Sequence, residues 1–211
     1  MSAYHSSADT APNYADNGHG LGRQAVIGGG IGYALTYWFR ADITGEYRTP
    51  TKYWALASYN LGSDAYAASI PSGVVLANGY IDFGTWFRVT PFIGAGVGAA
   101  FHSFDGFTDT ALGPQNLGGY GWGPNKNIVA PAWALMAGFA YSFSPNWKLE
   151  ISYRYLDMGH LSNTLMWGTG GIPETQSFHM ASHDIRVGLR YVFTDVPAVA
   201  PPVLAPLVRK Y

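Results

Sequence analysis

The sequence predicts an all-β fold, an up-and-down antiparallel transmembrane β-barrel whose large apolar side chains face outward. Three observations predict it. Only 12% of the 211 residues are charged and 16% are aromatic, whereas soluble domains carry roughly 25% charged residues. Segment after segment alternates between apolar residues and polar or glycine residues, the period of a strand with unlike faces. Short and long connections alternate as well, as they do in barrels that cross a membrane.

The elements follow in order. AVIGGGIGYAL (25–35) sets Ile27, Ile31 and Tyr33 against glycines. YWFRADITGEYR (37–48) sets Phe39, Ala41, Ile43, Gly45 and Tyr47 against Arg40, Asp42, Thr44, Glu46 and Arg48. VVLANGYIDFG (74–84) opposes Asn78, Tyr80 and Asp82 to Ala77, Gly79 and Ile81, and PFIGAGVGAAF (91–101) opposes Ile93, Ala95 and Val97 to glycines. AWALMAGFAYSF (132–143) carries Trp133, Leu135, Phe139 and Tyr141 on one face. NWKLEISYRYLDMG (146–159) divides Trp147, Leu149, Ile151, Tyr153 and Tyr155 from Lys148, Glu150, Ser152 and Arg154. SHDIRVGLRYVF (182–193) divides Ile185, Val187, Leu189, Tyr191 and Phe193 from Asp184, Arg186, Gly188, Arg190 and Val192. These are seven strands, most of them near 11 residues. Short links fall at 35–38, 85–91 and 144–147, and long ones rich in Gly, Ser, Asn and Asp near 7–22, 50–72, 104–127 and 159–179.

Alternation alone does not say which face is the outside. In a soluble barrel of about eight strands the lumen is only just wide enough for side chains to fill, and here it would have to hold nearly every Trp, Tyr, Phe, Ile and Leu. Such a barrel would also expose Gly28, Gly30, Gly32, Gly94, Gly96 and Gly98 to water, where glycine weakens a strand and packs nothing. With the faces inverted both difficulties vanish: bulky apolar groups meet lipid, and the glycines leave lumen space for Arg40, Arg154 or Arg186. Only a closed barrel lets strands cross hydrocarbon without unpaired amides. Trp38, Phe39, Trp86, Phe87, Phe143 and Trp147 flank the three short turns. Amphipathic rings favour the headgroup layer, so these six are the expected periplasmic girdle.

Other classes are poorly served. No window approaches 18 consecutive apolar residues, which excludes a spanning helix. A net charge of −1 offers no basic stripe for nucleic acid, and the absence of cysteine removes disulfides and thiolate metal sites. The glycine runs at 28–32 and 94–98 precede no helix, so they are strand glycines and not nucleotide loops.

NGYIDFGTWFRVTPFIGAGVG (78–98), LMAGFAYSFSPNWKLEISYRYLDMG (135–159) and HDIRVGLRYVF (183–193) together resemble the small eight-stranded outer-membrane barrels of the opacity-protein and surface-antigen type, the alphaproteobacterial porin-family proteins related in shape to the OmpA barrel. The resemblance covers nearly all of residues 23–195 and implies a bacterial outer-membrane protein of the cell envelope, without a cofactor. It further implies that Gly188, Tyr191 and Phe193 form a terminal signal read by the outer-membrane assembly machinery, and that outer-membrane lipid and lipopolysaccharide surround the barrel. Two features depart from the family. Its first strand survives only as MSAYH, so a barrel domain over residues 1–195 is expected with strand one incomplete and the true start upstream. Residues 196–211, with four prolines, continue past Phe193 as an extended tail. It is expected in the periplasm, with peptidoglycan or a periplasmic partner as a candidate contact through Arg209 and Lys210.

The lumen-facing charges nearly balance: Arg40, Arg48, Lys148, Arg154, Arg186 and Arg190 against Asp42, Glu46, Asp82, Glu150 and Asp184. Confined charge is costly unless paired, so a network that plugs the barrel is expected, with little or no conductance. His179 and His183 with Asp157 or His160 are the candidate metal ligands, but scattered histidines in loops are usually solvated and no metal is expected. Ser182, His183 and Asp184 cannot form a catalytic set by adjacency, because neighbours on a strand point to opposite faces. The expected function is therefore non-enzymatic: a barrel anchoring four long extracellular loops. Tyr53, Trp54, Tyr59, Tyr120 and Trp122 serve surface recognition there or pack over the barrel mouth. The alternative is a narrow channel or carrier for small apolar molecules.

Overall fold

The structure, a computed structural model, describes residues 2–7, 15–59, 62–112, 119–167 and 174–193. Its strands are β1 (Ser2–Ser7), β2 (Ala15–Leu21), β3 (Val26–Ala34), β4 (Phe39–Tyr59), β5 (Gly62–Asp82), β6 (Val89–Leu112), β7 (Tyr120–Trp122), β8 (Lys126–Ser142), β9 (Trp147–Trp167) and β10 (Glu174–Tyr191). All pairings are antiparallel within one curled sheet. β2 and β3 lie end to end along β4, and β7 and β8 lie end to end between β6 and β9. The chain therefore forms eight staves, of which the first, β1, occupies only the end away from the short turns. The expected tail at 196–211 lies outside the described residues, as does Phe193's continuation beyond that residue.

The outward face is apolar along the part of the sheet nearest the short turns. Ile27, Ile31, Ile43, Tyr47, Val75, Ile93, Val97, Trp133, Leu135, Phe139, Tyr153, Ile185, Val187 and Leu189 are all exposed. Arg40, Glu46, Arg48, Asn78 and Arg154 are buried between them. So large and continuous an apolar surface is incompatible with a soluble monomer. The nine residues of β3 extend about 30 Å at about 3.3 Å per residue. At a tilt of about 40° they rise about 23 Å along the axis, close to the apolar band of about 25 Å in outer-membrane barrels.

Three tight turns close the near end. Thr36 and Ser144 each accept a hydrogen bond through their hydroxyl from the backbone N–H three residues on, at Phe39 (2.9 Å) and Trp147 (3.0 Å). In the third turn Trp86 and Val89 exchange both backbone hydrogen bonds, and Phe87 and Arg88 have φ of 50° and 70°. Two consecutive positive φ values make the hairpin turn whose twist matches that of its strands.

At the far end the sequence expectation needs correction. The spans 50–72, 104–127 and 159–179 were expected as loops between strands near 11 residues, yet β4, β5 and β9 run for 21 residues and β6 for 24. The β4–β5 ladder continues from Thr51↔Ile70 to Tyr59↔Gly62, and β2 occupies part of 7–22. These extensions persist because they have a core of their own. Tyr53 stacks on Phe178 at 4.7 Å, Phe104 meets Phe178 at 5.7 Å and Phe107 at 5.9 Å, and Ile70, Met158, Leu161 and Met180 are buried among them. Burial of such rings contributes roughly 1.5–3 kcal/mol each, enough to hold ladders that lipid does not support. The interior is thus not only ions and glycines, as the alternation had suggested.

The outer face changes with it. Lys52, Ser69, Ser103, Asn127 and Thr110 face outward above the apolar band. Polarity inverts along each long strand: polar inside and apolar outside below, the reverse above. An arginine placed at Val97, inside the band, is expected to lower stability by about 2–4 kcal/mol. At Ser69, above it, the same side chain should change stability by no more than about 0.5 kcal/mol. Urea unfolding of both variants refolded into phospholipid vesicles measures the difference.

Candidate functional site: the lumen and the long-hairpin end

Alternation along β4, β5, β9 and β10 delivers charged side chains to the lumen in stacked layers. Nearest the short turns, Arg40 Nε donates to Asp82 Oδ1 at 3.2 Å and its Nη2 lies 3.5 Å from Glu150 Oε1. Arg190 Nη1 reaches the same Glu150 oxygen at 3.0 Å. The Arg40 guanidinium sits 3.9 Å above the Tyr80 ring and 4.7 Å from that of Phe92, a cation–π contact with two rings that meet edge-on. Lys148 lies in this layer, opposite Arg190 across the β9–β10 ladder. One step up, Asn78 Nδ2 donates to Asp42 Oδ1 at 2.7 Å and to Thr44 Oγ1 at 3.0 Å.

The glycines of β6 explain how this layer fits. A Cβ on Gly94 would stand 2.5 Å from the Tyr80 ring, and one on Gly96 2.0 Å from Asn78 Oδ1. The sequence suggested that lumen glycines clear space for arginines from other strands. On β6 they clear it for Tyr80 and Asn78.

The next layer is the most desolvated. Arg154 forks onto Glu46, with Nη1–Oε2 at 2.9 Å and Nη2–Oε1 at 2.7 Å, and its Nε and Nη2 reach Asp184 Oδ2 at 3.1 and 2.6 Å. Arg48 donates to both Asp184 oxygens at 3.0 and 2.9 Å, to Glu46 Oε1 at 3.0 Å, to Ser182 Oγ at 3.0 Å and to Gln24 Oε1 at 3.2 Å. Two guanidinium groups and two carboxylates thus close a neutral square, with Arg186 3.9 Å from Glu46 at its margin. Above it Ser72 and the Met158 carbonyl hold His102 at 2.8 and 3.1 Å, and the aromatic core begins.

The candidate chemistry of the histidines disperses. Ser182 points into the lumen onto Arg48, whereas His183 lies outside against Tyr153 at 2.5 Å, and Asp184 is held by arginines. His179 pairs with Asp157 at 2.9 Å and His160 lies against its ring at 4.7 Å. Among the described residues no three His, Cys, Asp or Glu side chains are placed to hold a metal. Gly159, at φ +77°, makes the bend that brings its N–H onto Asp157 Oδ1 at 2.9 Å. A Cβ there would meet Ala130 and the Pro131 carbonyl below 3 Å, so only glycine fits.

The five aromatics offered for surface recognition separate. Trp54, Tyr120 and Trp122 are exposed at the long-hairpin end, while Tyr53 is buried in the core. The Tyr59 side chain lies outside the described residues. At the opposite end Trp38, Trp86, Phe87, Phe143 and Trp147 project outward beside the short turns, with Phe39 half-buried. Tyr37 and Phe83, passed over in the sequence, are exposed there too. Tyr191 packs edge-on to Trp147 at 4.9 Å and to Phe193 at 4.8 Å, and Gly188 on the same strand has open space where a Cβ would be.

Because Arg154 is fully enclosed, removing it leaves two buried carboxylates short of donors. Arg154→Ala is expected to cost about 3–5 kcal/mol, the loss typical of one partner from a buried pair. Adding Glu46→Gln should recover part of that loss. A double-mutant cycle by urea unfolding in vesicles measures the coupling; additive losses would contradict the square.

Comparison with known proteins agrees with this architecture. The family profile described as Outer membrane protein beta-barrel domain matches residues 4–193. An uncharacterised protein of Brucella abortus (strain 2308) is 28% identical over 88% of this chain and 73% of its own. A candidate adhesin of Rickettsia conorii (strain Malish 7) is 30% identical over 77% of this chain and 65% of its own. The outer membrane protein PagN of Salmonella typhimurium (strain LT2) is 24% identical over 81% and 74%. With nearly its whole length matched by that profile and an inverted barrel to account for it, the chain belongs to the outer-membrane β-barrel family of Gram-negative bacteria and resides in the outer membrane.

Proposed function

We propose that the protein is a non-enzymatic, non-conducting surface scaffold whose barrel carries long hairpins outside the cell. The observation that carries this reading is the filled interior: the square of Arg48, Glu46, Arg154 and Asp184 below, and the rings of Tyr53, Phe104, Phe107 and Phe178 above. A pore needs free cross-section, which open porins obtain from 16–18 strands. A carrier of apolar molecules needs an apolar cavity, and the rings already occupy that volume.

The short turns face the periplasm and the long hairpins face outward, the arrangement usual in these barrels. In that orientation Trp38, Trp86, Phe87, Phe143 and Trp147 form the periplasmic girdle, and lipopolysaccharide surrounds the upper band. Tyr191 and Phe193, with Gly188, present the terminal signal to the assembly machinery, and Arg209 and Lys210 of the segment 196–211 are the candidate contacts for peptidoglycan or a periplasmic partner. Trp54, Tyr120 and Trp122 supply rigid amphipathic contact area for a surface partner. A candidate adhesin among the relatives supports that use.

Two measurements test the proposal. In planar bilayers the purified protein is expected to show no steady current, and sustained single-channel steps would refute a plugged lumen. Since the chain has no cysteine, Trp122→Cys and Thr85→Cys each report one end unambiguously. A membrane-impermeant maleimide on intact cells should label the first and spare the second; the reverse pattern would invert the orientation.

A further inference from the structure

The outer wall of the extended hairpins carries two rows with one pattern. Across the ladders, Trp54 of β4, Ala67 of β5, Thr108 of β6, Trp122 of β7 and Met166 of β9 stand in register. Leu56, Ala65, Thr110 and Tyr120 form the next row toward the hairpin ends. Side chains directly opposed across a ladder share a face. This face is the outward one: Trp54, Tyr120, Trp122 and Met166 are about half exposed, whereas Asp64 and Asp109 of the same strands are turned inward and buried. Large side chains therefore flank a floor of alanines and threonine hydroxyls, and every member of both rows is uncharged.

Glycine lays out the Trp54 indole. Its register partner on β2 is Gly20. A Cβ on Gly20 would stand 2.9 Å from Trp54 Nε1, and one on Gly18 would stand 3.7 Å from the far edge of the six-membered ring. The indole thus lies along β2 over two residues without side chains, with half its surface left open. Trp122 follows three strands on, about 14 Å along the sheet at about 4.8 Å per strand.

Height identifies what stands beside these rings. Along β5, Ala67 lies six residues beyond Gly73, whose row holds Tyr47 and Phe101 at the upper edge of the apolar band. That places it about 15 Å above the band, at about 3.3 Å per residue and a tilt of about 40°. The headgroup layer is only about 5–8 Å deep on each side, so the rings stand clear of an interfacial aromatic belt. In an outer leaflet of lipopolysaccharide the layer at that height is sugar. A pyranose ring offers a face of weakly positive C–H groups, which suits the negative face of an indole, and its hydroxyls suit threonine. The wall also looks sideways, whereas a partner arriving from the medium would first meet the hairpin ends, as at Tyr59↔Gly62. We propose that this wall is a saccharide-binding face, occupied by neutral sugar rings of the lipopolysaccharide packed beside the barrel. It rests on the outward orientation of the long hairpins argued above.

The test titrates dephosphorylated core oligosaccharide, cleaved from lipid A, into the full chain in detergent micelles and follows binding by calorimetry. Saturable binding is expected, and raised salt should leave it unchanged because no ion pair is screened. Trp54→Ala and Trp122→Ala should each weaken it about tenfold, the loss of one aromatic contact. Gly20→Val keeps both tryptophans but props the indole off β2, and should weaken binding as Trp54→Ala does. Trp54→Tyr retains a flat ring and should bind close to the parent affinity, which keeps the comparison available if the alanine variant fails to fold. Trp86→Phe, at the short-turn end, should change nothing. No saturable binding, binding that needs the lipid A phosphates or is lost in salt, equal affinity in both alanine variants, or a dimer formed through this wall would each overturn the proposal. Binding in micelles does not depend on which way the barrel sits, so its absence would strike this proposal and leave the scaffold standing, whereas reversed maleimide labelling would strike both.

Discussion

Hydrocarbon tolerates neither an unpaired amide nor an exposed ion, and the rest of the molecule is arranged around that constraint. It forces the backbone into a continuous antiparallel ladder and sends every ionised side chain of the band to the same narrow interior. Once there, the ions cannot remain single. Arg48 and Arg154 each engage both Glu46 and Asp184, drawn from β4, β9 and β10, so the square links β4 to the β9–β10 pair, with which it shares no ladder. Buried ion pairs add little net stability over apolar packing, but their geometry admits few alternatives. Here a slip of β10 against β9 by one residue would turn Asp184 to lipid and leave both arginines uncompensated.

Orientation was legible in the sequence for a reason that the square makes plain. Arg40, Glu46, Arg48 and Arg154 fall on the sequence parity opposite to Ile43, Tyr47 and Tyr153, and a narrow lumen cannot hold both sets. Family membership and the outer membrane followed from the same alternation and from the stretches that carry it. The length of β4, β6 and β9 was not legible, and three bulges account for this. An extra residue enters β4 near 49–50, β6 at Gly106 and β9 at Gly159, where the registers shift and the two glycines adopt positive φ. Each insertion exchanges odd for even. On β4 the inward residues are Glu46 and Arg48 before it and Thr51 and Tyr53 after it; on β9 they are Leu156 and Met158, then Leu161 and Asn163. A period-two pattern therefore breaks at each bulge, and a break reads as the end of a strand.

The bulges lie near the level at which the solvent outside changes, and that coincidence has a physical basis. Below them the strand must place its apolar face outward; above them, in water, the ordinary rule returns and Tyr53 of β4 and Phe107 of β6 turn inward, meeting Phe104 just below the β6 bulge and Phe178 of the unbulged β10. A strand that kept its phase would need a sequence whose apolar set switched parity at that height. Inserting one residue lets the same parity of apolar positions pass from the outer face to the inner face. On β4 the odd positions Ile43 and Tyr47 face lipid, and the odd positions Tyr53 and Ala55 form the upper core. On β4, β6 and β9 one residue is enough to join an inside-out barrel to a conventional one, while β5 and β10 keep their phase, and the square of ions sits directly beneath the junction, where the lumen changes from polar to aromatic.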